Sequence, residues 1–280
     1  MIRSVRLLLI AVMYLWPTAV GLCLEADSGE TVKEPENVLY IFAHQDDETD
    51  IIAKMAMDLR RGRAVHVVWI TDGALFVPAQ VREKESRSVM ERIGVPQENL
   101  VFLGYPDMGA YKHLEEIFND LLKIAERLKP AEIISMAYEG GHIDHDVTSL
   151  MAALLTERIP GAAHYEFSSS NMYQGKLRVN KLLPREDSVT LYTPLDKELY
   201  DLRMDVLKMY PSQTLGLSLL DSVTDKREWK EKGEAYRLSP KYDYTKRPVE
   251  GPLGYEAAVG RPRARFDEWR KNVAAFLNKI

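Results

Sequence analysis

Two short clusters of histidine and carboxylate residues contain the groups most able to perform chemistry together. One is the segment 43–48, Ala-His-Gln-Asp-Asp-Glu, and the other is the segment 141–145, Gly-His-Ile-Asp-His. Three of the six histidines in the chain fall in these two segments. Mononuclear hydrolytic zinc sites use three protein ligands of this kind, an open position for water, and a base. The sequence therefore predicts a metal-dependent hydrolytic site that is built from both segments.

Within each cluster the spacing lets two side chains reach one point. His44 and Asp47 are three residues apart in a turn that follows an apolar run, and His142 and His145 are three apart where a helix is predicted to begin. A single histidine is often structural, and acidic residues such as Glu48 often stabilise the N-terminus of a helix. Those explanations do not account for two such clusters that both follow predicted strands.

Strand-like and helix-like segments alternate four times in the first 160 residues. The predicted strands are 37–43, 64–71, 100–104 and 131–137, and the predicted helices are 50–60, 81–93, 114–128 and 146–155. Such alternation with short links predicts a parallel sheet with helices on both faces. Ligands bind at the carboxyl ends of the strands in such sheets, where both clusters lie, together with Asp72 and Asp107. The predicted fold is α/β, a three-layer α/β/α domain of Rossmann-like type with a mostly parallel sheet.

The pattern is less regular beyond residue 160. Strands are predicted at 163–169 and 189–192, helices at 197–210, 224–236 and 265–280, and a loop at 238–263. We expect residues 27–280 to form a single domain in which 160–280 shape the substrate site.

The first 26 residues have the layout of a secretory signal peptide. Arg3 and Arg6 precede an uncharged run at 7–24, and small residues follow. The alternative is an uncleaved membrane anchor formed by the same run, although Pro17 interrupts it. We therefore predict export to the periplasm or the medium. Cys23 is the only cysteine, so no disulfide framework is expected.

Composition argues against two other classes of protein. The formal net charge is −5 and no long basic stripe is present, whereas nucleic-acid binding depends on Lys and Arg that neutralise phosphates. No glycine-rich phosphate loop follows the first predicted strand, which disfavours a nucleotide-binding Rossmann protein.

The two clusters also resemble the motifs of a known family. Segment 43–48 is similar to the AHPDDE signature of the PIG-L/LmbE-like zinc-dependent de-N-acetylase superfamily, the N-acetylglucosaminyl deacetylase-like proteins, and 142–145 resembles its HPDH element. Weaker matches occur in order at 71–73, at Arg82 with Glu85, and at 103–107, and the sequence KMYPSQ at 208–213 is similar to a C-terminal element. Gln45 and Ile143 replace the prolines of the two motifs, at positions that carry no ligand.

The resemblance implies a role for each matching residue. The expected ligands of Zn²⁺, with Fe²⁺ as the alternative metal in the cell, are His44, Asp47 and His145. Asp46 would be the general base for the attacking water, a function typically worth about 10²–10⁴-fold in rate. His142 would stabilise the tetrahedral intermediate or protonate the leaving amine, and Asp144 would orient it. Arg82, held by Glu85, would contact substrate oxygens.

The function expected from the resemblance is removal of an acetyl group from an N-acetylglucosamine-type sugar or glycoconjugate. One alternative is a metal-dependent amidase that acts on a non-sugar N-acyl substrate. Another is a non-catalytic carbohydrate-binding protein on the same scaffold, although such a protein would need neither Asp46 nor His142. His66, His113 and His164 receive no role.

Overall fold

The structure, a computed structural model, describes residues 36–257 and 264–280. The predictions of a signal peptide and of an anchor lie outside the described residues. The strands are β1 Asn37–Phe42, β2 Ala64–Thr71, β3 Leu100–Tyr105, β4 Glu132–Met136, β5 Ala163–Phe167, β6 Ser170–Tyr173, β7 Lys176–Val179, β8 Thr190–Thr193 and β9 Glu234–Leu238. The helices are α1 Ile52–Arg60, α2 Ala79–Ile93, α3 Leu114–Leu128, α4 Ile143–Arg158, α5 Lys197–Lys208, α6 Thr214–Val223, α7 Lys226–Lys232, α8 Gly254–Ala257 and α9 Phe266–Leu277.

One mixed sheet carries most of the strands. Its order is β3-β2-β1-β4-β5-β9-β8, with β1 to β5 parallel and with β9 antiparallel to both β5 and β8. Strands β6 and β7 form a separate antiparallel hairpin. Strand β1 lies between β2 and β4 in the sheet. Because these three strands are parallel, their carboxyl ends lie at the same edge of the sheet.

Helices cover both faces of the sheet, and the alternation of side chains along β1 shows how. Leu39 and Ile41 pack in a core with α3, α4 and α9, whereas Val38, Tyr40 and Phe42 pack in a second core with α1, α2 and α5. All five side chains are buried, as expected for an apolar strand between two layers of helices. The predicted three-layer α/β/α fold is confirmed.

The C-terminal part departs from the sequence prediction, and the clearest case is the end of α7. The helix predicted over 224–236 is wrong, because α7 ends at Lys232 and the chain then continues as β9. Gly233 stops the helix with a backbone φ of 99°. The polar side chains of β9 are buried: Arg237 donates to Glu166 at 2.7 Å, and Glu234 accepts a hydrogen bond from the backbone of Ala53 at 2.9 Å. Because its buried side chains are charged, β9 lacks the alternation of apolar and polar residues that would identify a strand from sequence.

Helix α6 and the β6–β7 hairpin were not predicted. None of the residues of α6 is buried, and Leu215 and Leu219 are 77% and 61% exposed.

In the part of the chain that the structure describes, no helix is both long enough and apolar enough to span a bilayer.

Candidate metal centre and active site

Both histidine–carboxylate clusters lie at the carboxyl ends of neighbouring parallel strands. Segment 43–48 follows β1, and segment 141–145 follows β4 and opens α4. His142 caps this helix, because its Nδ1 accepts a hydrogen bond from the backbone N–H of Asp144 at 3.3 Å. The ring of His44 lies 4.4 Å from that of His142 and 5.4 Å from that of His145, measured between centroids. The fold therefore brings the three histidines together.

Asp47 joins two of these histidines in the arrangement expected of shared metal ligands. Its Oδ2 lies 3.4 Å from Nδ1 of His44, and its Oδ1 lies 3.3 Å from Nε2 of His145. Two donors that bind one tetrahedral zinc ion at about 2.0–2.2 Å are separated by roughly 3.3–3.6 Å. His44 and His145 each lie at such a distance from Asp47, and donor atoms of His44, His142 and His145 also lie within 4.8 Å of one another. The choice of His44, Asp47 and His145 as the ligands stays a prediction.

The other nitrogen of His44 faces two carboxylates. Its Nε2 lies 3.2 Å from Oδ1 of Asp107 and 3.4 Å from Oδ2 of Asp144. A metal-binding imidazole commonly directs its second N–H towards a carboxylate, which fixes the ring. Asp107 is the group that the sequence left without a role. The sequence signals for it were its position after a predicted strand and the weaker family match at 103–107.

Asp144 has more neighbours than the sequence suggested. Its carboxylate accepts backbone hydrogen bonds from Met108 at 2.6 Å and from Ala110 at 3.2 Å, in addition to its contact with His44. It also belongs to a group of donor atoms within 4.8 Å of one another, which includes those of Asp107 and His142. Asp144 therefore ties the loop after β3 to the candidate metal centre, and its predicted role of orienting His142 stays a prediction.

Electrostatics show that the centre is built for positive charge. Burial lowers the pKa of His44, but the carboxylates of Asp107, Asp144 and Asp47 outweigh burial and raise this pKa well above its ordinary value. Burial raises the pKa of Asp47, but His145 and His44 hold it below its ordinary value. Several carboxylates thus surround one imidazole, and their negative charge would be balanced equally well by a bound divalent cation.

Asp46, the predicted base, is anchored beside the candidate metal ligands. Nη2 of Arg82 lies 3.1 Å from its Oδ1, and the same guanidinium donates to the backbone carbonyls of Gln45 and Gly73. Burial raises the pKa of Asp46 to about 8, against the opposing effect of Arg82. Arg82 therefore holds the base. Glu85, its predicted partner, instead accepts hydrogen bonds from the backbone N–H and Oγ of Ser212, at 2.9 and 2.5 Å.

The site opens into a cavity of about 600 Å³. The metal-ligand candidates, Asp46, Arg82, Asp107 and His142 all contribute to its lining. Polar side chains from the C-terminal part line another side, and they are Ser169, Ser170, Ser212 and Gln213. The apolar residues Phe76, Leu215 and Leu219 lie at its exposed rim.

Histidine and aspartate donors at the strand ends, a carboxylate beside them and an adjoining cavity are the features of a metal-dependent hydrolase. Residues 39–155 match the sequence profile of the family described as PIG-L: GlcNAc-PI de-N-acetylase, and this part of the chain is a PIG-L family domain. The family and the enzyme class predicted from the sequence, an N-deacetylase, are thereby confirmed. No protein with a curated function matches the chain at a significant level.

Solved structures with the same fold include two deacetylases and a hydratase. A deacetylase of teicoplanin biosynthesis superposes with a TM-score of 0.60 at 16% identity, covering 74% of this chain and 99% of that one. The N,N'-diacetylchitobiose deacetylase of Pyrococcus horikoshii gives 0.55 at 18% identity, covering 77% and 88%. The 4-carboxy-2-hydroxymuconate hydratase of Pseudomonas putida KT2440 gives 0.50 at 15% identity, covering 74% and 98%. At these identities the likeness establishes the fold, and the reaction has to be argued from the site.

Proposed function

We propose that this protein is a zinc-dependent hydrolase that removes the acetyl group from an N-acetylglucosamine-type sugar or glycoconjugate. The observation that carries the proposal is the convergence of His44, Asp47 and His145 beside the anchored carboxylate of Asp46, at a cavity that can admit a sugar. A zinc ion bound there supplies a Lewis acid, which polarises the amide carbonyl and makes water more acidic. Fe²⁺ is the alternative metal for the same donor set.

The residues of the chain divide the remaining work. Asp46 accepts a proton from the attacking water as the C–O bond forms, and Arg82 keeps its carboxylate aimed. His142 stabilises the tetrahedral intermediate or protonates the amine nitrogen as the C–N bond breaks, which an amide needs because an unprotonated amine leaves poorly. Asp107 and Asp144 fix the ring of His44 from its outer side.

A sugar substrate is supported by the cavity and by two relatives of the fold. The volume of about 600 Å³ is in the range of small-molecule sites, roughly 300–1,000 Å³. Ser169, Ser170, Ser212 and Gln213 offer hydroxyl and amide groups that can bind sugar hydroxyls. Two structures with the same fold are described as a deacetylase of teicoplanin biosynthesis and an N,N'-diacetylchitobiose deacetylase.

We also propose that the protein acts outside the cytoplasm, in the periplasm or after secretion. The basic and apolar pattern of residues 1–26 supports this, with membrane attachment through 7–24 as the alternative. Cell fractionation and N-terminal sequencing of the protein decide between the two. A soluble exported chain that begins after residue 23 or 26 supports cleavage, and an intact N-terminus in the membrane fraction supports the anchor.

The test of the proposed activity is acetate release by the purified, zinc-loaded protein. N-acetylglucosamine, its β-glycosides and N,N'-diacetylchitobiose are compared with N-acetylated amino acids, and Asp46→Asn is the inactive control. Release from the sugars alone supports the proposal, whereas release from amino acids alone identifies the alternative amidase. Bound zinc with no release from either set, together with measurable sugar binding, would indicate a carbohydrate-binding protein on this scaffold.

A further inference from the structure

The predicted base has an unusual backbone conformation. Asp46 has φ of 110° and ψ of −19°, in the region of positive φ that residues with a side chain seldom occupy. Such a conformation persists only where the surrounding contacts impose it. Arg82 provides contacts to the side chain of Asp46 and to the carbonyl of Gln45, but it does not bind the N–H of Asp46.

Glu48 supplies the contact to that N–H. Its Oε2 accepts hydrogen bonds from the backbone N–H of Asp46 at 3.1 Å and from Nε1 of Trp69 at 3.3 Å. Its side chain is completely buried, so its position is set by these partners and by the partner of its other oxygen. Oε1 of Glu48 accepts a hydrogen bond from the hydroxyl of Tyr210.

Tyr210 connects this carboxylate to α2. It lies in the segment 208–213, is completely buried, and has its hydroxyl 2.9 Å from Oγ of Ser86. Since the single hydroxyl hydrogen of Tyr210 is donated to Glu48, Ser86 donates to Tyr210. Arg82 lies one turn earlier on α2 than Ser86. Helix α2 therefore contacts Asp46 directly through Arg82. It also contacts Asp46 indirectly, from Ser86 through Tyr210 and Glu48.

We propose that Tyr210 is a positioning residue for the general base. Through Glu48 it holds the backbone of Asp46 at positive φ and so aims the carboxylate at the attacking water. The proposal rests on the proposed function for the role of Asp46 as a base, whereas the hydrogen-bonded chain from Ser86 to Asp46 stands on the geometry alone.

The chain offers a matched control for a test of this role. Tyr242 also donates to a buried carboxylate, Oε1 of Glu166 at 2.6 Å, and it does not line the cavity. Tyr210→Phe and Tyr242→Phe should therefore lower the melting temperature by similar amounts. Only Tyr210→Phe should lower kcat, by about tenfold to a hundredfold, because small misplacements of a reacting group can cost that much. Its KM and metal content should stay within about twofold of wild type.

Two further measurements separate positioning from general damage. In a double-mutant cycle with Glu48→Gln, the losses in kcat should be far from additive, because Tyr210 acts through Glu48. Hydrogen exchange measured by mass spectrometry should speed up in the peptide around Asp46 for Tyr210→Phe and stay unchanged there for Tyr242→Phe. If Tyr210→Phe does not fold, Ser86→Ala, which leaves Tyr210 in place, should produce the same two effects in weaker form.

Equal losses of kcat in the two tyrosine variants, or unchanged exchange around Asp46 in Tyr210→Phe, would overturn the positioning role. If wild type releases acetate from no amide, the proposed function fails, and the exchange measurement still decides whether Tyr210 holds Asp46.

Discussion

The assignment of Asp46 as the base can be tested by a change of one atom. Asp46→Asn keeps the size of the side chain and an oxygen where Oδ1 of Asp46 now lies 3.1 Å from Nη2 of Arg82. The backbone N–H that Glu48 holds is also retained. The variant therefore removes the ability to take a proton and leaves the position of the group nearly unchanged.

The expected size of the effect follows from general-base catalysis. Loss of a positioned base costs typically about 10²–10⁴-fold in rate, or about 2.7–5.4 kcal/mol of transition-state stabilisation at about 1.36 kcal/mol per factor of ten. Because an oxygen is kept beside the guanidinium of Arg82, we expect the free energy of unfolding to change by no more than about 1 kcal/mol. For a chain of this size that corresponds to a shift of about 2–4 °C in melting temperature.

The assay is kcat for acetate release, with zinc content and melting temperature measured on the same samples. Asp50→Asn is the matched control, since Asp50 also lies near an arginine, with its Oδ1 3.8 Å from Nη2 of Arg203. We expect Asp50→Asn to keep kcat within a few-fold of wild type. An Asp46→Asn enzyme that retains more than about a tenth of wild-type kcat would refute the assignment.

Three other changes test separate parts of the structure. Asp47→Ala removes the carboxylate that faces both His44 and His145, and elemental analysis should show that zinc is lost; full retention at normal affinity would exclude Asp47 as a ligand. His142→Ala should lower kcat by about 10²-fold or more with little change in zinc content, and loss of zinc instead would mean that the roles of His142 and His145 are exchanged. Burial lowers the pKa of His164 from 6.5 to about 3, so the fold holds it neutral and loses stability as pH falls below 6.5, by about 2 kcal/mol at pH 5. Urea unfolding of wild type and His164→Gln at pH 7.5 and 5.0 checks this, and an equal pH dependence in both would refute it.

The parallel part of the fold is readable from the sequence because of where its strands lie. β1, β2 and β4 are buried between two layers of helices, so each appears as an apolar run of strand length. The same topology places the residues that follow these strands at one edge, which is why two clusters about a hundred residues apart could be assigned to one site.

The hydrogen-bond and ion-pair partners of the site residues could not be predicted in this way. They depend on tertiary contacts that no local sequence pattern encodes. The sequence could assign Glu48 only to helix capping, whereas the structure buries it between Asp46, Trp69 and Tyr210. The position of Asp107 after a strand was visible, but its contact with His44 was not.

Strand β9 illustrates the same limit for secondary structure. Its residues, Glu-Ala-Tyr-Arg-Leu, read as the end of a polar helix. They form a strand because Glu234 and Arg237 find buried partners on other elements, Ala53 and Glu166. Local propensity is a weak signal where such contacts decide the conformation.

Helix α6 gives the cavity a wall that is weakly attached to the rest of the protein. Leu215 and Leu219 are already exposed, and Leu217 packs only partly buried against the core shared with α1, α2 and α5. Detaching α6 would therefore expose less apolar surface than detaching a helix with buried residues, and its local stability is correspondingly low. A protease that cuts beside leucine should therefore attack the chain first at Leu215 and Leu219. A ligand that covers these side chains at the rim would slow that cleavage, so limited digestion offers a screen for ligands that requires no turnover.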